Sequence, residues 1–233
     1  MTPRLGIVTG LKFEAQALTR ALAILPEARR PLVLCHGMGE ERAGRAAGEL
    51  ADQGATVLVS AGISGGLMPD AQCGTLTLAS AAVHPHQGRI DCDWSMHADL
   101  LKAAAETHPA LDTGPIAHAA DVVDTPAAKM ALGASTGARS VDMESWPVAQ
   151  VARTRGLPFG VIRVVADPYD QPLPMELLTT LSWDGHIETG RLARTLATRP
   201  WLLPTALTLG RHSARAKAVL ARAGHLLAQT LNA

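Results

Sequence analysis

The sequence predicts an α/β protein, a three-layer α/β/α sandwich with a central mixed sheet and a C-terminal helical extension. Three observations carry this. Short runs of strand type alternate with helical patterns along most of the chain. Most of those runs are apolar throughout, as strands buried on both faces are. Beyond Asp167 the strand-like runs stop and only helical patterns follow.

In chain order, an apolar run at 5–9 is followed by a helical pattern at 13–25, and a second run at 32–36 by one at 40–53. Runs at 56–61 and 75–82 precede a helical pattern at 95–106. Short runs at 115–118 and 139–142 flank a helical segment at 126–132. Gly156-Leu157-Pro158 breaks the helical pattern of 144–155, and 159–166 is then a nearly continuous apolar run. Pro168, Pro172 and Pro174 mark a connection to the tail. The expected organisation is a domain over 1–180 and a helical extension over 181–233, packed on or beside it. Within the extension, 200–209 is markedly apolar and is followed by Arg211, Arg215, Lys217 and Arg222. That pairing suits a helix packed on the domain or a surface in contact with a membrane.

Twenty-one basic residues balance 21 acidic ones, so no long-range field favours nucleic acid, which is not an expected partner. Cys35, Cys73 and Cys92 are odd in number and form no C-x-x-C pair, which fits a reducing compartment. The start of the chain shows no apolar signal core, and no stretch supplies the ~20 apolar residues that span a bilayer. The expected location is cytoplasmic, either free or peripheral at the inner membrane face.

Chemistry concentrates around two carboxylates. Glu144 opens a helix and Asp167 closes the following strand. In an open α/β sheet ligands bind beyond the carboxyl ends of strands, so both would flank one crevice, with Arg163 in or beneath it. A guanidinium within an apolar strand needs carboxylate or phosphate partners. Glu14, after Thr9-Gly10, serves either the helix dipole or as a general base at the sheet edge. Gly62-Ile63-Ser64-Gly65-Gly66 reads as a turn after the third strand, with N–H groups presented to an anion or to ribose oxygens. His36-Gly37-Met38-Gly39-Glu40-Glu41-Arg42 nearly matches G-x-G-x-x-G, but Arg42 replaces the third glycine, so no dinucleotide cofactor is expected. Arg42 at a helix start, and Gly10, are instead candidate phosphate contacts. His84, His86, Asp91, Cys92, Asp93 and His97 form no closed ligand set, and no metal is expected. Ser60 and Ser64 lack the G-x-S-x-G elbow of a serine hydrolase.

Taken together, Gly6-Ile7-Val8-Thr9-Gly10-Leu11-Lys12-Phe13-Glu14, Gly62-Ile63-Ser64-Gly65-Gly66-Leu67, Val141-Asp142-Met143-Glu144 and Arg163-Val164-Val165-Ala166-Asp167 resemble the nucleoside phosphorylase/nucleosidase superfamily. The branch of closest resemblance is the hopanoid-biosynthesis-associated phosphorylases, similar in the Thr9-to-Ala15 opening, the Asp142-Met143-Glu144-Ser145 block, Arg163 with Asp167-Pro168, and an Arg- and Leu-rich tail. The resemblance implies a phosphorylase/hydrolase-like fold and cleavage of the N-ribosidic bond of adenosylhopane. Adenine and ribosylhopane or its phosphate would be formed, with no cofactor beyond inorganic phosphate as co-substrate, by a homo-oligomer. It further implies Asp167 as the acid toward purine N7, Glu144 on the ribose hydroxyls, Met143 packed on the sugar, and Arg163 orienting Asp167 or the nucleophile. Glu14 matches the water-activating position of the methylthioadenosine/adenosylhomocysteine nucleosidases.

Two positions depart from those nucleosidases. Ile63 stands where they carry a serine, and Val122 where an aromatic stacks on adenine. Purine binding then falls to aliphatic walls and the Val123 backbone, in a chain only 3% aromatic. An apolar substrate tail would supply binding energy away from the reacting centre. Glu14 favours water as nucleophile, Arg42 and the 62–66 segment favour phosphate, and the branch resemblance tips the expectation to phosphorolysis. The alternatives are a hydrolytic methylthioadenosine/adenosylhomocysteine nucleosidase and a non-catalytic ligand-binding scaffold.

Overall fold

The strand β3 (Val57–Gly66) is the axis of the sheet. In the structure, a computed structural model that describes residues 4–93, 97–182 and 184–232, β3 has neighbours along both edges. On one side it pairs in parallel with β10 (Phe159–Asp167), from Leu58 opposite Phe159 to Gly65 opposite Asp167. On the other its first half pairs in parallel with β1 (Leu5–Thr9), and its last two residues pair with β9 (Ser140–Asp142), antiparallel. Beyond β1 lies β2 (Leu32–Cys35), parallel to it. The remaining described strands are β4 (Leu76–Leu78), β5 (Ala81–His84), β6 (Gly88–Asp91), β7 (Leu111–Asp112) and β8 (Ile116–His118). They complete a mixed sheet whose main path runs β6-β5-β8-β9-β3-β10-β4-β7.

The described helices are α1 (Lys12–Leu22), α2 (Glu40–Asp52), α3 (His97–Thr107), α4 (Pro126–Thr136), α5 (Ser145–Arg155), the short α6 (Met175–Leu178), α7 (Thr189–Thr198) and α8 (Leu203–Asn232). The sheet separates two apolar layers, and the alternation of side chains along a strand decides which residue enters which. Leu5, Ile7, Val57, Val59, Ile162 and Val164 join α1, α3 and α8 on one face. Val8, Leu58, Phe159 and Val161 join α2 and α5 on the other, around Trp146. Arg163 shares the strand parity of Phe159 and Val161 and is as deeply buried as they are.

Four expectations are corrected here. The third strand does not end at Ala61 in a glycine turn; it continues to Gly66, because β10 and β9 bond its backbone on either side. The run at 75–82 is two strands, β4 and β5, on different parts of the sheet. β6 and β7 were not anticipated: the first is a polar, exposed hairpin partner of β5 and the second has two residues. The helix expected over 95–106 is α3; Ser95 lies outside the described residues, as does the side chain of His97.

The tail packs as a structural layer. α8 spans 30 residues, about 45 Å at 1.5 Å per residue. From Ala216 onward it contributes Val219, Leu220, Ala223, Leu227, Ala228 and Leu231 to the same apolar cluster as α1 and the sheet. A Cβ on Gly224 would stand 2.9 Å from that of Ala21, so the absence of a side chain is what lets α8 lie against α1. No described helix is long and apolar enough to cross a membrane. Leu220→Ala is expected to lower the unfolding free energy in chemical denaturation by about 2–5 kcal/mol. Leu207→Ala, at an exposed position of the same helix, is expected to change it by less than about 0.5 kcal/mol.

Candidate active site

The carboxyl ends of β1, β3, β9 and β10 surround a cavity of about 140 Å³ that opens to solvent. Its walls are aliphatic: Leu11, Met38, Ile63, Val122, Val123, Val141, Met143 and Leu173 line it. Its polar lining includes Glu14, Ser64, Asp121, Asp142, Glu144, Arg163 and Asp167. Gly10 and Gly65 complete the set of sequence-predicted residues that reach the cavity.

At the base is Arg163. Its Nη2 donates to Ser60 Oγ at 2.7 Å and lies 3.3 Å from Glu144 Oε2; Nη1 donates to the Ile63 carbonyl at 3.0 Å. Nε forms an ion pair with Asp142 Oδ2 at 2.7 Å. Asp142 in turn accepts the Ser145 N–H at 3.1 Å and the Ser145 hydroxyl, tying it to the first turn of α5. The register that sets Val161 opposite Ser60, two residues before Arg163, brings that hydroxyl within reach of the guanidinium.

Glu14 is buried beside this cluster. Its Oε2 accepts the N–H groups of Gly10 and Leu11 at 3.0 and 2.8 Å, and its Oε1 accepts the Ile63 N–H at 2.8 Å. Burial pushes the carboxyl up to about 7 and the charge of Glu144 adds to this, while Arg163 and the Ile63 and Leu11 amides pull the other way. Glu144 is raised too, first by burial and then by Asp142, against Arg163 and the Gly39 amide, which donates to it at 3.0 Å. Three carboxylates around one guanidinium in a dry site leave more negative than positive charge when all are ionised, and proton uptake relieves the excess.

The glycines of β3 make room for these side chains. A Cβ on Gly62 would fall 2.6 Å from Glu14 Oε1, and one on Gly65 3.1 Å from Asp167 Oδ2. Gly62 therefore does not line the cavity as expected; it leaves the space that Glu14 occupies. Ser64 Oγ is buried at the cavity with no partner among the described residues, which makes it available to a ligand.

Asp167 sits past an irregularity in β10 between Val165 and Asp167, opposite Gly65. Its Oδ2 accepts from Lys129 Nζ at 2.6 Å, and the same ammonium donates to the carbonyls of Pro168 and Gln171 at 2.9 and 3.2 Å. Burial raises the Asp167 carboxyl, with Lys129 opposing. Lys129 is fully buried in the first turn of α4. No sequence motif marks it; its signal is a lysine among apolar residues at a helix start. Asp142 lay inside a recognised block without a role, and Ser60 was considered only as a nucleophile.

Arg42 does not join the site. It is exposed in α2, outside the cavity lining, with Nη1 donating to the Met38 carbonyl at 3.2 Å. Gly10 does line the cavity, but its N–H is already given to Glu14. Met143 lines the cavity beside Glu144, and Val122, 43% exposed, stands at its rim.

The model of one family, the phosphorylase superfamily, matches residues 4–198. The chain belongs to that superfamily. This assignment makes it an enzyme of the nucleoside phosphorylase/nucleosidase type. Comparison with curated proteins gave no match. Among solved structures, the 5'-methylthioadenosine/S-adenosylhomocysteine nucleosidase of Neisseria meningitidis, in complex with methylthio-immucillin-A, superimposes with a TM-score of 0.73 at 15% identity, over 97% of this chain and 99% of that one. A Helicobacter pylori enzyme of the same name, with 5'-methylthioadenosine in its active site, gives 0.68 at 20% identity over 85% of this chain and 100% of that one. The futalosine hydrolase of Helicobacter pylori gives 0.68 at 17% identity, over 100% and 97%. At these identities the likeness is one of fold. It places this superfamily member's curled mixed sheet, helices and C-terminal helix in the phosphorylase/nucleosidase architecture.

Gly62→Ala tests the packing of the site. The added methyl displaces the Glu14 carboxylate from the Ile63 amide, at a stability cost of about 1–3 kcal/mol. Turnover is expected to fall far more than thermal stability, as measured by steady-state kinetics beside a melting curve.

Proposed function

We propose that the protein cleaves the N-ribosidic bond of an adenine nucleoside that carries a large apolar 5' substituent, with water as nucleophile. The observation that carries this is Glu14. Its carboxylate takes the Gly10, Leu11 and Ile63 N–H groups, the donors an incoming phosphate would use, and a carboxylate held there repels phosphate while it can take a proton from water. The resemblance to hopanoid-biosynthesis-associated phosphorylases supplies the substrate: adenosylhopane, giving adenine and ribosylhopane. It further implies a homo-oligomer. The aliphatic walls fit a purine held without aromatic stacking.

In the proposed reaction the bond from N9 to the anomeric carbon breaks and the water oxygen bonds to that carbon. One water proton passes to Glu14, and Asp167 gives a proton to N7, so adenine leaves neutral. The negative surroundings of Arg163 favour the developing cationic ring, with Glu144 on the ribose hydroxyls. Lys129 holds the Asp167 carboxyl and the carbonyls of the connection behind it, fixing the acid in place. A second reading, a methylthioadenosine/adenosylhomocysteine nucleosidase acting on soluble substrates, is favoured by the solved structures of that name.

Adenine release from adenosylhopane in detergent micelles, with and without phosphate and beside methylthioadenosine, separates these readings. Phosphate-independent release confined to the lipid nucleoside is expected. A phosphate requirement would replace water as the nucleophile, and fast hydrolysis of methylthioadenosine would replace the substrate. With Glu14 acting as a base from a pKa of about 7, the rate is expected to rise as pH increases through that value and to fall once Asp167 loses its proton. Glu14→Gln is expected to remove the acidic limb and about 10²–10⁴ of the rate. Lys129→Met removes a charge that lowers the Asp167 pKa, so the alkaline limb moves to higher pH.

A further inference from the structure

The neutral charge balance of the whole chain conceals a polarity. Residues 189–233 contain six arginines and Lys217 and no aspartate or glutamate. The same segment holds two helical stretches without a fully buried residue, in which Leu192, Leu196, Ala206 and Leu209 are half-buried. No residue of α7 is buried, and the first buried residue of α8 is Ala216. The 13 residues of α8 before it, 203–215, extend about 20 Å. Where the two helices meet, Trp201 is 68% exposed, Leu203 47% and Leu207 54%. Leu203, Leu207 and Arg211 succeed one another four residues apart and so share one face of α8.

This corner adjoins the mouth of the cavity. A groove separates Pro204, Thr205 and Thr208 of α8 from Pro168, the exposed Asp170, Gln171 and Pro172, the connection that leaves Asp167. Leu173, which ends that connection, lines the cavity itself. The acidic groups nearest α7 are already met by cations: Glu188 lies 3.3 Å from Arg191 and Glu176 3.9 Å from Arg199. Arg194 and Arg211 remain exposed on the surface.

We propose that the α7–α8 corner docks on an anionic lipid surface, with Trp201, Leu203 and Leu207 entering the interface and Arg194 and Arg211 meeting the headgroups. An exposed Trp beside Leu residues and cations is the composition that binds at a membrane interface, where apolar area and attraction to anionic lipid add. A symmetric contact with a second copy would set these arginines against themselves, without acids in the segment to answer them. The contact is a property of the free protein and does not depend on which nucleoside it cleaves.

The test is sedimentation of the full chain with phosphatidylcholine vesicles, with and without phosphatidylglycerol, at low and high salt. Binding is expected only with phosphatidylglycerol, and weakened by salt. The combined Trp201→Ala, Leu203→Ser, Leu207→Ser variant is expected to bind about tenfold more weakly or worse. Arg194→Glu with Arg211→Glu, which touches no apolar contact, is expected to weaken binding as well. No binding to phosphatidylglycerol vesicles, or binding by both variants as tight as that of the unaltered protein, would overturn the proposal. So would loss of self-association in lipid-free buffer on making the same substitutions, which would assign the corner to a second copy.

Discussion

A single guanidinium organises the interior of this protein. Arg163 sits in the middle of an otherwise apolar strand, fully buried, and every neighbouring element is arranged to answer it: Asp142 from β9, Glu144 at the start of α5, Ser60 and the Ile63 carbonyl from β3. Removing the cation would leave buried carboxylates unpaired, a change that costs about 3–5 kcal/mol in comparable sites. Removing a carboxylate would free the arginine to attract a different anion. The cluster therefore couples the fold of the sheet to the charge of the cavity.

That charge has a direction. Asp142, Glu144 and Glu14 outnumber the one cation they share, and burial makes their joint ionisation unfavourable. Glu14 is left with a carboxyl that titrates near neutrality while its position is fixed by three backbone amides. Across the cavity Asp167 is held by Lys129. Two carboxyl groups with different surroundings are what acid and base chemistry at one centre requires. The glycines of β3 are part of the same construction, because Gly62 and Gly65 give up their side-chain volume to Glu14 and Asp167.

The alternation of strands and helices was legible in the sequence because buried strands are apolar and helices are periodic. Arg163 stood out because a guanidinium is anomalous in an apolar strand, whereas Glu14, Glu144 and Asp167 were marked by their places at helix starts and a strand end and by the motifs that hold them. What stayed hidden depended on contacts between distant segments. Lys129 is separated from Asp167 by 38 positions and nothing local marks it. The glycines at 62–66 read as a turn because glycine usually signals backbone freedom; here the pairing of β3 with β10 and β9 keeps them extended, and the constraint is steric. Arg42 sat beside a glycine pattern, yet its side chain lies outside the cavity. The second half of α8 looked like an addition to the sheet domain, although its small and apolar residues complete one layer of the core.

The central claim is that burial, with a smaller contribution from Glu144, holds Glu14 ready to act as a base near neutral pH. The most direct measurement is a carbon-13 NMR titration of protein labelled at the glutamate side-chain carboxyl carbon, with the Glu14 signal assigned by its loss in Glu14→Gln. A midpoint near 7 is the predicted result. A midpoint at the ordinary glutamate value of 4.5 would contradict it, since the carboxyl would then be insensitive to both its burial and its neighbours.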